Sequence, residues 1–250
     1  MPPKRRNIEI FKRLLIGLVI VLAMWYLLSL LNPLVPPPHV ILVYMLDIEK
    51  IGTHFFTTLY RIGFGFVLSI SVGLFLGMSM GKFKTVEAIL GSFVGFVLTI
   101  PATVWAFLAF ILFGVTTWSV IFVAMITTFP MVAFSVSEGV KSRDVRYDEM
   151  ADVFRFSRWK KIRRVFLPYL FPYIIGSARS AFGELIKIAV FTELLGSNVG
   201  IGYVLSFGWS VASLYLILSA TVIVVVFMLI VDYGVLYPIE IYATKWKGGS

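Results

Sequence analysis

The 250-residue chain is 59% hydrophobic and only 14% charged, with a mean hydropathy of +0.94 and a formal net charge of +9. A soluble globular chain carries about 25% charged residues, so this composition points to a lipid surrounding, and its apolar runs of about 20 residues set it apart from basic nucleic-acid binders. The absence of cysteine excludes disulfides, thiolate-bound zinc and a thiol nucleophile, and His39 and His54 alone do not make a histidine-rich metal site.

Six apolar segments follow one another, each long enough for a bilayer-spanning helix. The first covers residues 14–31, after the basic residues Lys4, Arg5, Arg6, Lys12 and Arg13. It is too long for a signal h-region, and "LNPLVPPP" lacks a small-x-small cleavage site, so it reads as an uncleaved helix. Pro36, Pro37 and Pro38 then predict a stiff stretch at the outer surface. The second segment, about 56–80, leads into Gly73, Gly77 and Gly81 at four-residue spacing, and Gly91 and Gly95 open the third. Small residues at that spacing let helices approach closely in lipid, either within the chain or between two copies. The third segment, about 86–113, is broken or kinked at Pro101, which removes a backbone donor and is a candidate pathway residue. The fourth covers about 118–136.

The fifth segment, about 174–195, is the most polar, with Arg179, Glu184, Lys187 and Glu193 in it. Glu184 and Lys187 are three apart and share a helix face, so they neutralise each other. The pair either presents Lys187 to an anionic solute or is a self-paired bridge that tolerates burial, and the second reading is favoured. Arg179 reads as snorkelling to headgroups. Glu193 precedes "LGSNVGIGYV", read as a tight outer turn. The sixth segment covers about 214–236.

Eighteen of the 22 Lys and Arg residues fall on one side of this six-span arrangement: in 1–13, at Lys82 and Lys84, in 141–168, and at Lys245 and Lys247. The opposite segments 114–117 and 196–213 hold none, and 32–55 holds only Lys50. The asymmetry predicts cytoplasmic termini. It also makes the long loop of about 138–172 cytoplasmic. Within that loop, "EMADVFRFSRWKKIRRVFLP" alternates basic and apolar residues. Asp144, Asp148, Glu149 and Asp152 suit a helix N-terminus better than a lipid surface. "FSRWKK" suggests a break at Ser157, and Pro168 and Pro172 predict a stop or bend before the next span.

This loop resembles the cytoplasmic coupling ("EAA") loop of ABC importer permeases. Glu149, Met150 and Ala151 stand in its Glu-Ala-Ala places, and Val165, Leu167 and Pro168 in its closing apolar-x-Leu-Pro. Met150 departs from the pattern, and so does Arg155 at the Gly place. Arg155 predicts loss of a left-handed turn, so that the helix runs on or a different partner surface is read. "NPLVPPPHVI", the His54, Thr58, Leu59, Arg61, Gly65, Gly73 and Gly77 positions, "FGVTTWS" and "ELLGSNVGIGYVL" resemble, in order, the sulfonate/taurine/nitrate-like branch of that family.

The resemblance implies one all-α permease domain over 1–250, with the six transmembrane helices of a type I ABC importer. It implies a second, identical permease copy, a cytoplasmic ATPase dimer that holds ATP and Mg, an extracytoplasmic solute-binding protein, and a multi-pass place in the plasma or inner membrane. Contact with the ATPase would fall on a coupling helix of about 149–158 and on Glu149, Met150, Ala151, Arg155, Ser157, Arg158 and Pro168. The chain contains no G-x-x-x-x-G-K-[ST] run of its own, and the glycines of its spaced stripe lie in the apolar segments, so no cofactor and no catalytic residue are assigned to it. Rival readings are an amino-acid or metal-ion importer branch, a six-helix channel and a membrane enzyme. The solute stays open between sulfonates, nitrate, taurine and vitamin precursors.

Overall fold

The computed structural model describes residues 3–45 and 48–244; the side chains at 3–11, 13, 14, 48–50, 145, 148 and 244 are not among those described. Lys245 and Lys247 therefore lie outside the described residues, as do the side chains of Lys4, Arg5, Arg6, Arg13, Lys50 and Asp148. All regular structure among the described residues is helical. In order these are α1 (Pro3–Leu31), α2 (Pro38–Met45), α3 (Ile48–Lys82), α4 (Lys84–Thr99), α5 (Ala102–Phe113), α6 (Thr117–Lys141) and α7 (Val145–Val153). They continue with α8 (Arg158–Lys161), α9 (Leu167–Gly196), α10 (Ile201–Ser210), α11 (Leu214–Val231) and α12 (Tyr237–Thr244). Two wide turns, Ile162–Phe166 and Asp232–Leu236, join α8 to α9 and α11 to α12.

Three helical stretches are long and apolar enough to cross a membrane singly: Ile51–Lys82, Thr117–Lys141 and Leu214–Ala243. Two bent pairs add two more, and the apolar part of α1, Leu15–Leu31, completes the six segments read from the sequence. The α4–α5 pair bends by 95°. Its cause is local. Ile100, the residue before a proline, is pushed to φ −80°, ψ 122°, and Pro101 leaves the helix at ψ 143°. The third segment is thus broken at Pro101 into two helices.

α6 is the central element, with 61% of its most apolar window buried against 11% for α11. α3 and α6 share the largest helix–helix interface. The glycine stripe explains how closely they lie: a Cβ at Gly73 or Gly81 would stand 2.5 Å from the Cβ of Val132 or Val140, and one at Gly77 2.5 Å from the carbonyl oxygen of Ala133. Of the two uses the spacing allowed, packing within the chain occupies this stripe. Ser69 and Thr128 add a buried hydrogen bond of 2.8 Å across the same seam.

Two expectations are corrected. Pro168 and Pro172 do not end the helix; residues 158–196 run as one continuous helical stretch. The wide turn Ile162–Phe166 comes just before Pro168, with the Leu167 N–H reaching back to the Ile162 carbonyl, so the ladder changes register where a proline would have clashed. Nor is 196–213 a plain outer loop. It holds α10, bent by 46° from α9 across residues 197–200. α1 stands apart with its apolar side chains exposed, and Trp25 Nε1 donates to the Pro36 carbonyl at 3.1 Å.

Candidate functional site

The expected coupling residues lie on a compact helix–turn–helix. Asp144 caps α7 by accepting the Arg146 N–H at 2.9 Å. α7 then stops at Val153. The Arg155 N–H bonds the Asp152 carbonyl and the Phe156 N–H bonds the Ala151 carbonyl, both at 2.9 Å. That pair of bonds closes a helix C-terminus around a left-handed residue, which here is Arg155 at φ 48°. The expectation that the helix runs on is therefore corrected. The turn is kept with an arginine in it, at a cost of about 1–2 kcal/mol for a non-glycine residue. The expected helix of 149–158 becomes α7 plus this turn. Ser157 then caps α8 by accepting the Lys160 N–H, as the predicted break requires.

α7 packs against the wide turn Ile162–Phe166, and Lys161 pairs with Asp152 at 3.2 Å across the hairpin. Ala151 is fully buried, which takes it off the outer surface; its small size lets the two arms approach. Glu149, Met150, Arg155, Ser157, Arg158 and Pro168 are exposed. Around them Val153 (80%), Phe154 (66%) and Trp159 (71%) are exposed as well. Met150, Val153 and Phe154 follow i, i+3, i+4 spacing, so they form one apolar helix face beside Glu149. A solvated loop needs no such patch. Sequence reasoning named Glu149 and Met150 and included Val153 and Phe154 only as part of a helix of about 149–158, although the same spacing was there to single them out.

The other expected residues do not form one site. Glu184 pairs with Lys187 as the spacing implied. Within one chain the pair is not buried, since the two side chains are 40% and 62% exposed along an open cleft of about 370 Å³. The cleft is also lined by Arg179, Asp232, Glu240 and Met228; Pro101 does not line it. Arg179 does not snorkel. Its Nε and Nη2 hold both Asp232 carboxylate oxygens at 2.6 and 2.8 Å, and its Nη1 holds Glu240 at 2.7 Å. It also lies 4.8 Å from the Tyr237 ring centre. A fork of five donors suits this double grip where a point charge would not.

A third cluster was not singled out from sequence. Arg61 on α3 and Glu193 on α9 are 2% and 0% exposed and pair at 2.8 Å. Thr58 donates to the Glu193 carboxylate at 2.8 Å and accepts the Ile201 N–H at 2.8 Å. The Gly202 N–H reaches the same carboxylate at 3.0 Å. Arg61 also donates to the Val199 carbonyl at 2.8 Å and to Ser197 Oγ at 3.1 Å, and His54 Nδ1 accepts the Gly200 N–H at 3.1 Å. Gly200 sits at φ +121°, and any Cβ there would run into the Glu193 carboxylate. One signal was available: Arg61 is the lone charged residue of its span, and Glu193 is the acid of the fifth segment left over once Glu184 is paired with Lys187. The cluster joins "HFFTTLYR" to "ELLGSNVGIGY", two stretches that the sequence places far apart.

A family described as the inner membrane component of binding-protein-dependent transport systems matches residues 69–237. The putative aliphatic sulfonates transport permease protein of Bacillus subtilis is 28% identical over 81% of this chain and 76% of its own length. The taurine transport system permease protein of Escherichia coli is 25% identical over 92% of this chain and 88% of its own. The formylaminopyrimidine transport permease protein of Halalkalibacterium halodurans is 28% identical over 68% and 69%. Among solved structures, a chain of the inward-facing methionine ABC transporter MetNI superimposes with a TM-score of 0.56, at 16% identity, over 77% of this chain and 95% of that one.

Proposed function

Because the chain belongs to the family of inner membrane components of binding-protein-dependent transport systems, we propose that it forms half of the translocation pathway of an ATP-driven importer. A second copy supplies the other half, and a separate cytoplasmic ATPase pair holds ATP and Mg and does the hydrolysis. An extracytoplasmic binding protein delivers the solute. The termini and α7 face the cytoplasm, as the distribution of 18 of 22 basic residues favours. The solute is a small polar molecule of the sulfonate, taurine, nitrate or vitamin-precursor class, as the names of the relatives suggest. The cleft with Glu184 and Lys187 lies on its route, and the Pro101 break gives the third span a joint of its own.

The observation that carries this reading is the exposed face of Glu149, Met150, Val153 and Phe154, presented on a capped helix whose other side is anchored through Ala151. Such a face fits a groove in a soluble partner, and rigid anchoring lets a push on α7 reach α9 through the wide turn. The test is co-purification with the cognate ATPase, comparing wild type with a Val153→Glu/Phe154→Glu variant and with Glu149→Lys. Ala151 is left intact because its replacement would break the hairpin itself. Association retained by wild type and lost in the double variant supports docking on α7. Glu149→Lys is expected to uncouple ATP hydrolysis from uptake. Full association and coupled uptake in both variants would overturn the reading.

A further inference from the structure

Between the hairpin and the ends of α3 and α6 lies a pocket of about 600 Å³ that transport does not explain. Among the described residues four cations line it: Lys82 at the end of α3, Arg143 just past α6, and Arg158 and Lys161 on α8. None of its lining residues among those described is acidic. Its floor is apolar, made by Met78, Val140, Ile162 and Phe166. Part of the charge is already engaged: Lys161 pairs with Asp152, Arg143 stacks 5.3 Å from the Phe166 ring, and Lys82 lies 5.0 Å from the Phe83 ring. Yet among the described residues no acid pairs with Lys82 or Arg158. The nearby acids Glu87 and Glu138 are taken by Lys141 instead, at 2.8 and 2.6 Å.

We propose that this pocket binds the phosphate headgroup of an anionic phospholipid, with the first part of an acyl chain on its apolar floor. The combination decides the ligand. Cations on the rim call for a phosphate ester, and the floor of Met78, Ile162 and Phe166 calls for a hydrocarbon attached to it. A free phosphate would use the rim and leave the floor wet. The pocket lies where three segments leave the bundle beside α7, which the orientation proposed above puts at the cytoplasmic leaflet. Basic pockets at that level are places where anionic headgroups settle. The lipid would rest on Ile162 and Phe166 of the wide turn, and so would brace the element that links α7 to α9.

The test uses the purified full-length chain in detergent micelles, which have no sidedness, so its outcome is independent of the orientation. Spin-labelled phosphatidylglycerol and phosphatidylcholine are the probes. Variants are Lys82→Gln/Arg158→Gln and, as a control outside the pocket, Lys84→Gln. Wild type is expected to prefer phosphatidylglycerol. The double variant should lose about fivefold in affinity for each cation removed, with the control unchanged and inorganic phosphate at millimolar level failing to displace the probe. Equal binding of both lipids, an unchanged double variant, or an equal loss in the Lys84→Gln control would overturn the proposal. Displacement by inorganic phosphate would also overturn it, in favour of a soluble anion.

Discussion

The two ends of the bundle use charge in opposite ways. At one end Arg61 and Glu193 are shut away from solvent and are matched to each other, to Thr58 on α3, Thr117 on α6, Ser197 and Val199 in the turn 197–200, and the Gly202 N–H on α10. At the other end Glu149, Arg155 and Arg158 are exposed, and apolar Val153, Phe154 and Trp159 are exposed with them. Burial makes the difference. A desolvated pair has to satisfy itself inside the chain, so it serves as a lock that fixes three helices. Exposed charge gains little from its neighbours in water and is left for a surface that comes from outside. One end is finished by folding, whereas the other, on the docking proposed above, is finished by assembly.

The largest expected effect tests the closed end. Glu193→Ala leaves Arg61 buried and uncompensated and deprives the Thr58 hydroxyl and the Gly202 N–H of their acceptor. Breaking a buried pair from one side costs about 3–5 kcal/mol, so the thermal transition in detergent should fall sharply, or the chain should fail to accumulate. The double replacement Arg61→Met/Glu193→Met removes both charges and should recover much of the loss. A single variant as stable as wild type would mean that the lock does not hold the bundle. Equal losses in the single and double variants would place the stability in the hydrogen bonds to α10 rather than in the ion pair.

The contrast also explains which parts were legible in sequence. The span count, the glycine stripe and the Ser157 break rest on periodicity and local chemistry, which a linear text carries. Arg61–Glu193 and Arg179–Asp232–Glu240 join residues more than fifty positions apart, and no spacing rule announces such partners. Arg179 read alone looked like a snorkelling side chain, because its acids lie on the last span. The stop expected at Pro168 failed for another reason: a wide turn absorbed the clash that the proline rule assumes. Arg155 marks the limit of residue propensity, since its tertiary setting holds a non-glycine residue in a left-handed turn.

A middle-sized effect probes the α3–α6 seam between the two ends. Gly77→Val puts a branched side chain where the Ala133 carbonyl and Val136 already stand, at 2.5 and 2.8 Å from the first added atom. Backbone does not yield as a side-chain tip does, so overpacking should cost about 1–3 kcal/mol or more. Gly95→Val is the control, as nothing lies within 4 Å of its added Cβ. Melting temperatures of the two variants should differ clearly. Equal temperatures would show that the seam is not the tight contact described.

The smallest effect is the most telling for the open end. Arg155 holds φ 48° at a position where glycine would pay no steric penalty. Arg155→Gly should therefore keep the bonds from 155 to Asp152 and from Phe156 to Ala151 while relieving about 1 kcal/mol of strain. Glycine also has more freedom to lose on folding, which offsets part of that gain. The net change in melting temperature should be small. If the arginine is present only because the turn tolerates it, ATPase association will match wild type. If association weakens while stability holds, the guanidinium itself is part of the docking surface, and the strain is retained because the partner reads that charge. Arg155→Lys separates charge from fork geometry: rescue by lysine assigns the effect to charge, and failure assigns it to a bidentate contact that only arginine makes.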